Sequence, residues 1–241
     1  MLRSSQSAGR TFAWLEDGCQ HGWRADERHS ILLDMDASTR PSQDIPGNDT
    51  IQVAVVDDHA LIRLGVQSAI DAEPGLACVA VMASGDELGS SDARPDVVVL
   101  DYHLPRVNGL ELCRRTKLGE LAPAVVLYSA YADPALVLPA LVAGADAIVH
   151  KGAPARELLA AIHAVAGGGR RLPPLSPALL EAAGTMLDAD DLPILGMLVA
   201  GTDRGEIAAT MRLDTGEFEQ RVDAMVARLR PVPRMARRGS D

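Results

Sequence analysis

The sequence predicts an α/β fold built on a parallel sheet, and three observations support this prediction. Short apolar runs alternate with stretches of helical spacing between residues 51 and 167. Several of these runs are rich in β-branched residues, and four of them end directly in a polar or charged side chain. Strands that alternate with helices are joined by right-handed crossovers and run parallel. We therefore expect the carboxyl ends of these strands to meet at one edge of the sheet.

The central strand is the run Val97-Val98-Val99-Leu100, which ends in Asp101. Four consecutive apolar residues are typical of a strand that is buried on both faces. Pro105 and Gly109 follow, and they stop the strand and shape the next loop. A carboxylate at this position either points into the crevice where open α/β sheets bind ligands or simply caps the next helix. The choice depends on what else lies at the same edge.

Three other runs end in side chains that are expected to meet Asp101. The first, residues 51 to 56, leads into Asp57 and Asp58, and later runs end in Ser129 and Lys151. Adjacent carboxylates repel each other, and burying them partly is costly unless a cation or a proton compensates. Carboxylate oxygens are ligands for a hard cation such as Mg²⁺. The sequence therefore predicts a cation site at the carboxyl ends of the strands.

This order of acid pair, lone acid, hydroxyl and lysine resembles the receiver domain of two-component response regulators over about residues 51 to 167. The resemblance implies a doubly wound, five-stranded parallel sheet of the flavodoxin-like type. It also implies that Asp101 accepts a phosphoryl group from a sensor histidine kinase or phosphotransfer protein, assisted by Lys151 and Ser129. The Mg²⁺ ligands that it implies are the carboxylates of Asp57, Asp58 and Asp101 and the backbone carbonyl of His103.

Residues 187 to 230 predict a small all-α domain of three short helices. Gly201 is expected to end the first helix, and Asp214 or Thr215 to cap the last. The spacing, together with Glu206-Ile207-Ala208, resembles the LuxR-type helix-turn-helix output domain of NarL/FixJ regulators, although a generic three-helix bundle fits it too. The resemblance implies regulation of transcription through DNA, and it allows a homodimer. The residues expected to contact DNA are Gln220, Arg221 and Arg228.

The charge of this region predicts weak DNA binding. Residues 187 to 230 carry five basic and nine acidic side chains, a net charge of -4. Glu217 and Glu219 stand where LuxR-type domains place basic and polar residues, and a carboxylate facing a phosphodiester repels it. The alternative function is therefore a phospho-receiver signalling or protein-interaction module whose helix-turn-helix no longer binds DNA.

An aspartate nucleophile also occurs in phosphatases of the haloacid dehalogenase type, which are a distant alternative for this chain. That family needs Asp-x-Asp, and the residue two positions after Asp101 is His103. We therefore expect no enzyme activity beyond the receiver's own phosphoryl transfer and hydrolysis. Receivers usually carry an aromatic residue three positions before the lysine, where this chain has Ile148. A switch that depends on an aromatic rotamer at that position is therefore not expected.

The first predicted helix, from Ala60 to Ile70, has an apolar spacing that suggests a packing face formed by Leu61, Leu64, Gly65 and Ser68 to Ala69. Residues 1 to 50 show no sustained period and are interpreted as an extension without stable structure, with a start at Met35 as the alternative. Residues 168 to 186 are interpreted as a linker and connector helix, and residues 231 to 241 as a basic tail.

Composition and targeting signals predict a cytoplasmic protein with no membrane partner. No apolar run approaches the roughly 20 residues that span a bilayer. Polar residues follow Arg3 and Arg10, so the N-terminus does not have the pattern of a signal peptide. Cys19, Cys78 and Cys113 are widely spaced and predict neither a disulfide framework nor a zinc site.

Overall fold

Five parallel strands form one sheet in the computed structural model, which describes residues 50–118, 122–130 and 134–230. The strand order is β2-β1-β3-β4-β5. The strands are β1 (Ile51–Val56), β2 (Leu76–Met82), β3 (Val97–Asp101), β4 (Ala124–Ser129) and β5 (Ala147–His150). The predictions for residues 1 to 49 and for the tail after residue 230 lie outside the described residues.

Helices cover both faces of the sheet. These helices are α1 (Ala60–Asp71), α2 (Gly85–Ser90), α3 (Gly109–Thr116), α4 (Val137–Ala143), which a 3-10 turn (Pro134–Leu136) precedes, and α5 (Ala155–Ala166). Helices α1 and α5 pack on one face, whereas α3 and α4 pack on the other. The predicted doubly wound, five-stranded parallel sheet of the flavodoxin-like type is confirmed.

Strand β3 is central because its side chains contribute to the core on both faces. Val97 and Val99 point toward α1 and α5, whereas Val98 and Leu100 point toward α3 and α4. This alternation follows from the two-residue period of a strand. All five residues of β3 are buried, which places Asp101 at the end of a fully covered strand.

The predicted packing face of α1 is wrong. Leu61 and Leu64 are 84% and 61% exposed, and the side chains that α1 buries are Val66 and Ile70. The helix carries two apolar stripes at helical spacing, so spacing alone does not identify the inner one. Val66 and Ile70 lie four residues apart on the stripe that faces the sheet.

Four further helices follow the sheet: α6 (Pro177–Met186), α7 (Leu192–Ala200), α8 (Arg204–Met211) and α9 (Thr215–Leu229). Gly201 ends α7 in the left-handed conformation, with φ 84°, as predicted. Asp214 caps α9, and its side chain and that of Glu217 form a capping box. Among the described residues, no helix combines the length and the apolar character needed to cross a membrane.

The C-terminal helices share a hydrophobic cluster with the sheet side that carries α3 and α4. Phe218, Val222 and Met225 of α9 are fully or almost fully buried, and they belong to the same cluster as Leu138 and Val142 of α4. The apolar core therefore continues from the sheet domain into the C-terminal helices.

Cys113 of α3 is fully buried in this cluster, and its thiol donates a hydrogen bond to the carbonyl of Ala143 at 3.7 Å. Burial raises the pKa of the thiol from 9.0 to about 12. Above the ordinary pKa the unfolded chain loses this proton while the folded chain keeps it, so stability should fall as pH rises from 9.0 toward about 12. We expect Cys113→Ala to show a smaller loss of unfolding free energy over that range, measured by denaturant titration at each pH. An equal loss in the variant would contradict the prediction.

Candidate functional site

The strand ends bring two buried carboxylates and one lysine into direct contact. Nζ of Lys151, which follows β5, lies 2.6 Å from Oδ2 of Asp57 and 2.8 Å from Oδ2 of Asp101. Both aspartate side chains are 2% exposed and the lysine side chain is 10% exposed. Parallel strands β1, β3 and β5 end at the same edge, which is why residues far apart in sequence meet here.

The charges of this triad compensate each other. Burial alone lowers the pKa of Lys151, but hydrogen bonds and charge interactions with Asp101 and Asp57 outweigh it, so the pKa is raised above 10.5. Lys151 is therefore protonated at neutral pH. Its ammonium offsets the repulsion between two carboxylates that are almost completely buried.

Backbone groups fix the orientation of these side chains. The backbone N–H of His103 donates to Oδ1 of Asp101 at 3.0 Å, and that of His59 donates to Oδ1 of Asp57 at 2.8 Å. The N–H of Lys151 donates to the carbonyl of Ser129 at 2.7 Å. Each carboxylate thus has one oxygen on a peptide N–H and the other on the ammonium.

Gly109 allows α3 to begin directly against the end of β3. A Cβ atom at this position would lie 2.4 Å from the carbonyl oxygen of Asp101 and 2.7 Å from Cα of Tyr102. Only glycine fits this approach without moving the backbone. The sequence singled out Gly109 as a strand-stopping residue, and the structure shows that it also seats a helix on the site.

The acid cluster has the donor chemistry of a divalent-cation site. Asp57, Asp58, His59 and Asp101 each offer one ligand atom, and these atoms all lie within 4.8 Å of one another. The carboxylate oxygens suit Mg²⁺, which prefers oxygen ligands. His59 was not predicted as a site residue, although it directly follows the acid pair in the sequence. Nδ1 of His59 lies 2.7 Å from Oδ1 of Asp58, so the ring faces the acids.

Ser129 is fully buried at the end of β4, where it pairs in register with His150 of β5. The side chain before it, Tyr128, is mostly buried, and its hydroxyl donates to the carbonyl of Lys151 at 3.4 Å. Ile148 is partly buried against the α3 and α4 side of the core. An aromatic side chain therefore approaches the lysine from β4, with the Tyr128 ring centroid 5.9 Å from Nζ of Lys151.

A cavity of about 470 Å³ opens beside the acid cluster. Its lining comes mainly from the loop after β3 and includes His103. Arg230, which follows α9, lines the same cavity. The end of the C-terminal helix therefore lies next to the loop that follows Asp101.

The residues predicted to contact DNA lie along a groove of about 410 Å³ between α9 and residues 188 to 191. Gln220, Arg221 and Arg228 line this groove together with three aspartates. Both arginines are paired with these aspartates. Arg228 lies 2.7 Å from Asp188 and 2.9 Å from Asp191, and Arg221 lies 3.6 Å from Asp191.

Comparison with known proteins independently supports the family that the sequence resembles. Residues 53–163 match the family model described as the response regulator receiver domain. The chain is 34% identical over 166 residues to the transcriptional regulatory protein UhpA of Escherichia coli (strain K12), covering 68% of this chain and 83% of that protein. It is 32% identical over 193 residues to the DNA-binding transcriptional activator DevR/DosR of Mycobacterium tuberculosis, covering 74% and 88%.

A solved structure of a two-component response regulator of the LuxR family from Aurantimonas sp. SI85-9A1 is 32% identical, with a TM-score of 0.48, and the match covers 55% of this chain and 94% of that one. The curated relatives match over more than four fifths of their own length at more than 30% identity. The resemblance found in the sequence is confirmed, and the chain belongs to the two-component response regulators of the NarL/FixJ type.

Proposed function

We propose that this response regulator accepts a phosphoryl group on Asp101 from a sensor histidine kinase or phosphotransfer protein in the cytoplasm, and that phosphorylation controls transcription. The observation that supports this most directly is the triad at the strand ends, where Lys151 contacts the buried carboxylates of Asp57 and Asp101. The transcriptional part rests on the relatives, whose names describe regulators of transcription.

In this proposal a carboxylate oxygen of Asp101 attacks the phosphorus of the donor. A P–O bond to the aspartate forms, and the bond from phosphorus to the donor's nitrogen or oxygen breaks, leaving an aspartyl phosphate. The attacking and transferred groups are both anionic, so positive charge must lie between them. Lys151 supplies one such charge, because its ammonium already touches Asp101 and can move onto a phosphoryl oxygen. Ser129 would donate its hydroxyl to the same phosphoryl group.

The acid cluster fits a bound Mg²⁺, and the proposed ligands are the carboxylates of Asp57, Asp58 and Asp101 with the backbone carbonyl of His103. When bound, Mg²⁺ supplies neutralisation of charge on the transferring oxygens. The chain's own contribution is to hold the two aspartates in place through the N–H groups of His59 and His103.

For the output region we propose weak DNA binding that involves Gln220, Arg221 and Arg228. The ion pairs of both arginines with the acids of residues 188 to 191 support weakness, because these charges are already partly neutralised. The same observation favours the alternative, a signalling module whose helices contact proteins instead of DNA. We propose residues 51 to 167 and 187 to 230 as the two domains, joined by residues 168 to 186. A homodimer is compatible with either function.

The test is phosphorylation of purified protein with a small acyl phosphate and Mg²⁺, followed by mass spectrometry. We expect one phosphoryl group on the wild type, none on Asp101→Asn, and none when a chelator removes Mg²⁺. Asp92→Asn changes an exposed carboxylate and serves as the matched control, which should react like the wild type. Labelling of Asp101→Asn would contradict the site assignment, and continuous turnover of a chromogenic phosphate ester would favour a phosphatase.

A further inference from the structure

The imidazole of His150, the last residue of β5, forms hydrogen bonds with the backbone of two loops. Its Nε2 lies 2.8 Å from the carbonyl oxygen of Ala130, and its Nδ1 lies 3.0 Å from the backbone nitrogen of Gly152. Ala130 directly follows Ser129, and Gly152 directly follows Lys151. The ring therefore connects the residues next to the hydroxyl and the ammonium of the proposed phosphotransfer site. We call these two hydrogen bonds the His150 bridge.

The two partners decide which nitrogen of the ring carries the proton. The backbone N–H of Gly152 can only donate, so Nδ1 must accept with its lone pair. The carbonyl of Ala130 can only accept, so Nε2 must donate. A neutral imidazole that is protonated on Nε2 satisfies both partners. Because the ring is rigid, the bridge fixes the position of one loop relative to the other.

Glycine at position 152 allows the ring to lie against the backbone that follows Lys151. A Cβ atom at this position would lie 3.0 Å from both Cε1 and Nδ1 of His150, closer than the 3.4–4 Å of an ordinary contact. Any side chain at position 152 would therefore press on the ring unless the ring or the loop moved. The ring and the loop after Lys151 are thus packed directly against each other.

The bridge continues the connection between β4 and β5 beyond their last paired residues. The pairing of these strands ends where Ser129 lies opposite His150. The exposed ring of His150 adds little to the hydrophobic core, but it reaches one residue further along the chain, to Ala130. Ile148 lies two residues earlier on the same side of β5, and its side chain has no polar group that could make such a contact. On this side of β5, His150 supplies the polar contact that Ile148 cannot.

We propose that His150 is a positioning residue for phosphotransfer. The bridge holds the backbone after Ser129 against the backbone after Lys151, so that the serine hydroxyl and the lysine ammonium act on the same phosphoryl group. In this role His150 exchanges no proton with the phosphoryl donor. The inference rests on the proposed phosphotransfer function and deepens it, because it assigns a task to a side chain outside the set of proposed site residues.

The expected effect is on the rate of transfer and not on the binding of the donor. Misplacing a reacting or stabilising group by about 1 Å can cost about 100-fold in rate. Loss of the bridge leaves Ser129 and Lys151 in place on their strands, so we expect a smaller decrease of about tenfold in the limiting rate. The half-saturating donor concentration should change by less than about twofold, because the bridge acts on the transition state through the two loops.

The test is phosphorylation of the full-length chain by acetyl phosphate and Mg²⁺, with the rate measured over a range of donor concentrations. His150→Ala removes both hydrogen bonds and should lower the limiting rate by about tenfold. His150→Asn places an acceptor near the position of Nδ1 but is too short to reach Ala130, so it should be as slow as the alanine variant. His150→Gln places an N–H donor near the position of Nε2 and should restore the rate to within about threefold of the wild type.

His163→Ala removes an exposed histidine of α5 and is the matched control, which should leave the rate unchanged. Denaturant unfolding measures the stability of each variant separately. A decrease in rate that follows the loss of unfolding free energy, and not the loss of a donor to Ala130, would overturn the proposal. If His150→Ala does not fold, the comparison of His150→Asn with His150→Gln decides the same question.

The outcomes separate this inference from the function on which it rests. Labelling of Asp101 in the wild type, with unchanged limiting rates in all three His150 variants, would overturn the positioning role and leave the proposed phosphotransfer intact. A glutamine variant as slow as the alanine variant would also overturn the positioning role alone. Failure of wild-type Asp101 to take up a phosphoryl group would overturn both proposals.

Discussion

Lys151→Met is expected to destabilise the fold by about 3–5 kcal/mol, the usual range when one partner of a buried ion pair is removed. The carboxylates of Asp57 and Asp101 are each 2% exposed, and they would face each other without the ammonium that now contacts both. Methionine keeps the length and apolar stem of the side chain. The loss of unfolding free energy therefore comes mainly from the missing charge and not from altered packing. Denaturant unfolding in the presence of a chelator measures the change.

Adding Mg²⁺ should recover much of this stability in Lys151→Met, because a cation bound by the acid cluster offsets the same repulsion. Arg156→Ala removes an exposed cation from the first turn of α5 and serves as the control, with an expected change within about 0.5 kcal/mol. A loss of unfolding free energy below about 1 kcal/mol in Lys151→Met would show that a group other than the ammonium offsets the repulsion between the two carboxylates.

Replacing Asp188 and Asp191 by asparagine is expected to raise DNA affinity and to steepen its dependence on salt. The change frees Arg221 and Arg228 from their ion pairs and removes two negative charges from the groove. If both freed arginines reach phosphates, the log-log slope should steepen by about 1.8, at about 0.9 for each contact. A salt titration with a short mixed-sequence duplex measures both quantities for the wild type and the variant.

Asp190→Asn is the matched control, because Asp190 is exposed and contacts Arg221 only through its backbone carbonyl. It removes one charge without freeing an arginine, so the slope should not change. Tight binding by the wild type with a steep slope would show that the arginines are already available. If replacing Asp188 and Asp191 by asparagine does not raise DNA affinity, this face of α9 does not reach DNA.

The sheet and its site could be predicted from the sequence because strand ends follow a simple rule. Parallel strands end at one edge, so Asp57, Asp101 and Lys151 were expected to meet, and the structure brings them within ion-pair distance. The packing face of α1 could not be predicted in this way. Leu61 and Leu64 form an apolar stripe as regular as that of Val66 and Ile70, and only the position of the sheet decides between them.

The interface between the receiver and α9 was also outside the reach of sequence reasoning. Arg114 of α3 forms an ion pair with Glu219 of α9 across this interface. The two residues are 105 positions apart in the sequence, and no sequence motif contains both of them. A carboxylate on a helix that is expected to read DNA predicts repulsion when only DNA is considered as its partner. Its attraction to a guanidinium appears once tertiary packing has placed α9 against α3 and α4.

The close seating of α3 on the end of β3 has a mechanical consequence. With only a glycine at position 109, the backbone of the helix rests on the backbone of Asp101 and Tyr102, with no side chain between them to absorb a displacement. Arg114 follows five residues later, about 7.5 Å along the same rigid helix. Helix α3 therefore connects two regions rigidly. Its first turn contacts the end of the strand that carries Asp101. Its last turn carries the guanidinium of Arg114, which forms an ion pair with Glu219 of α9.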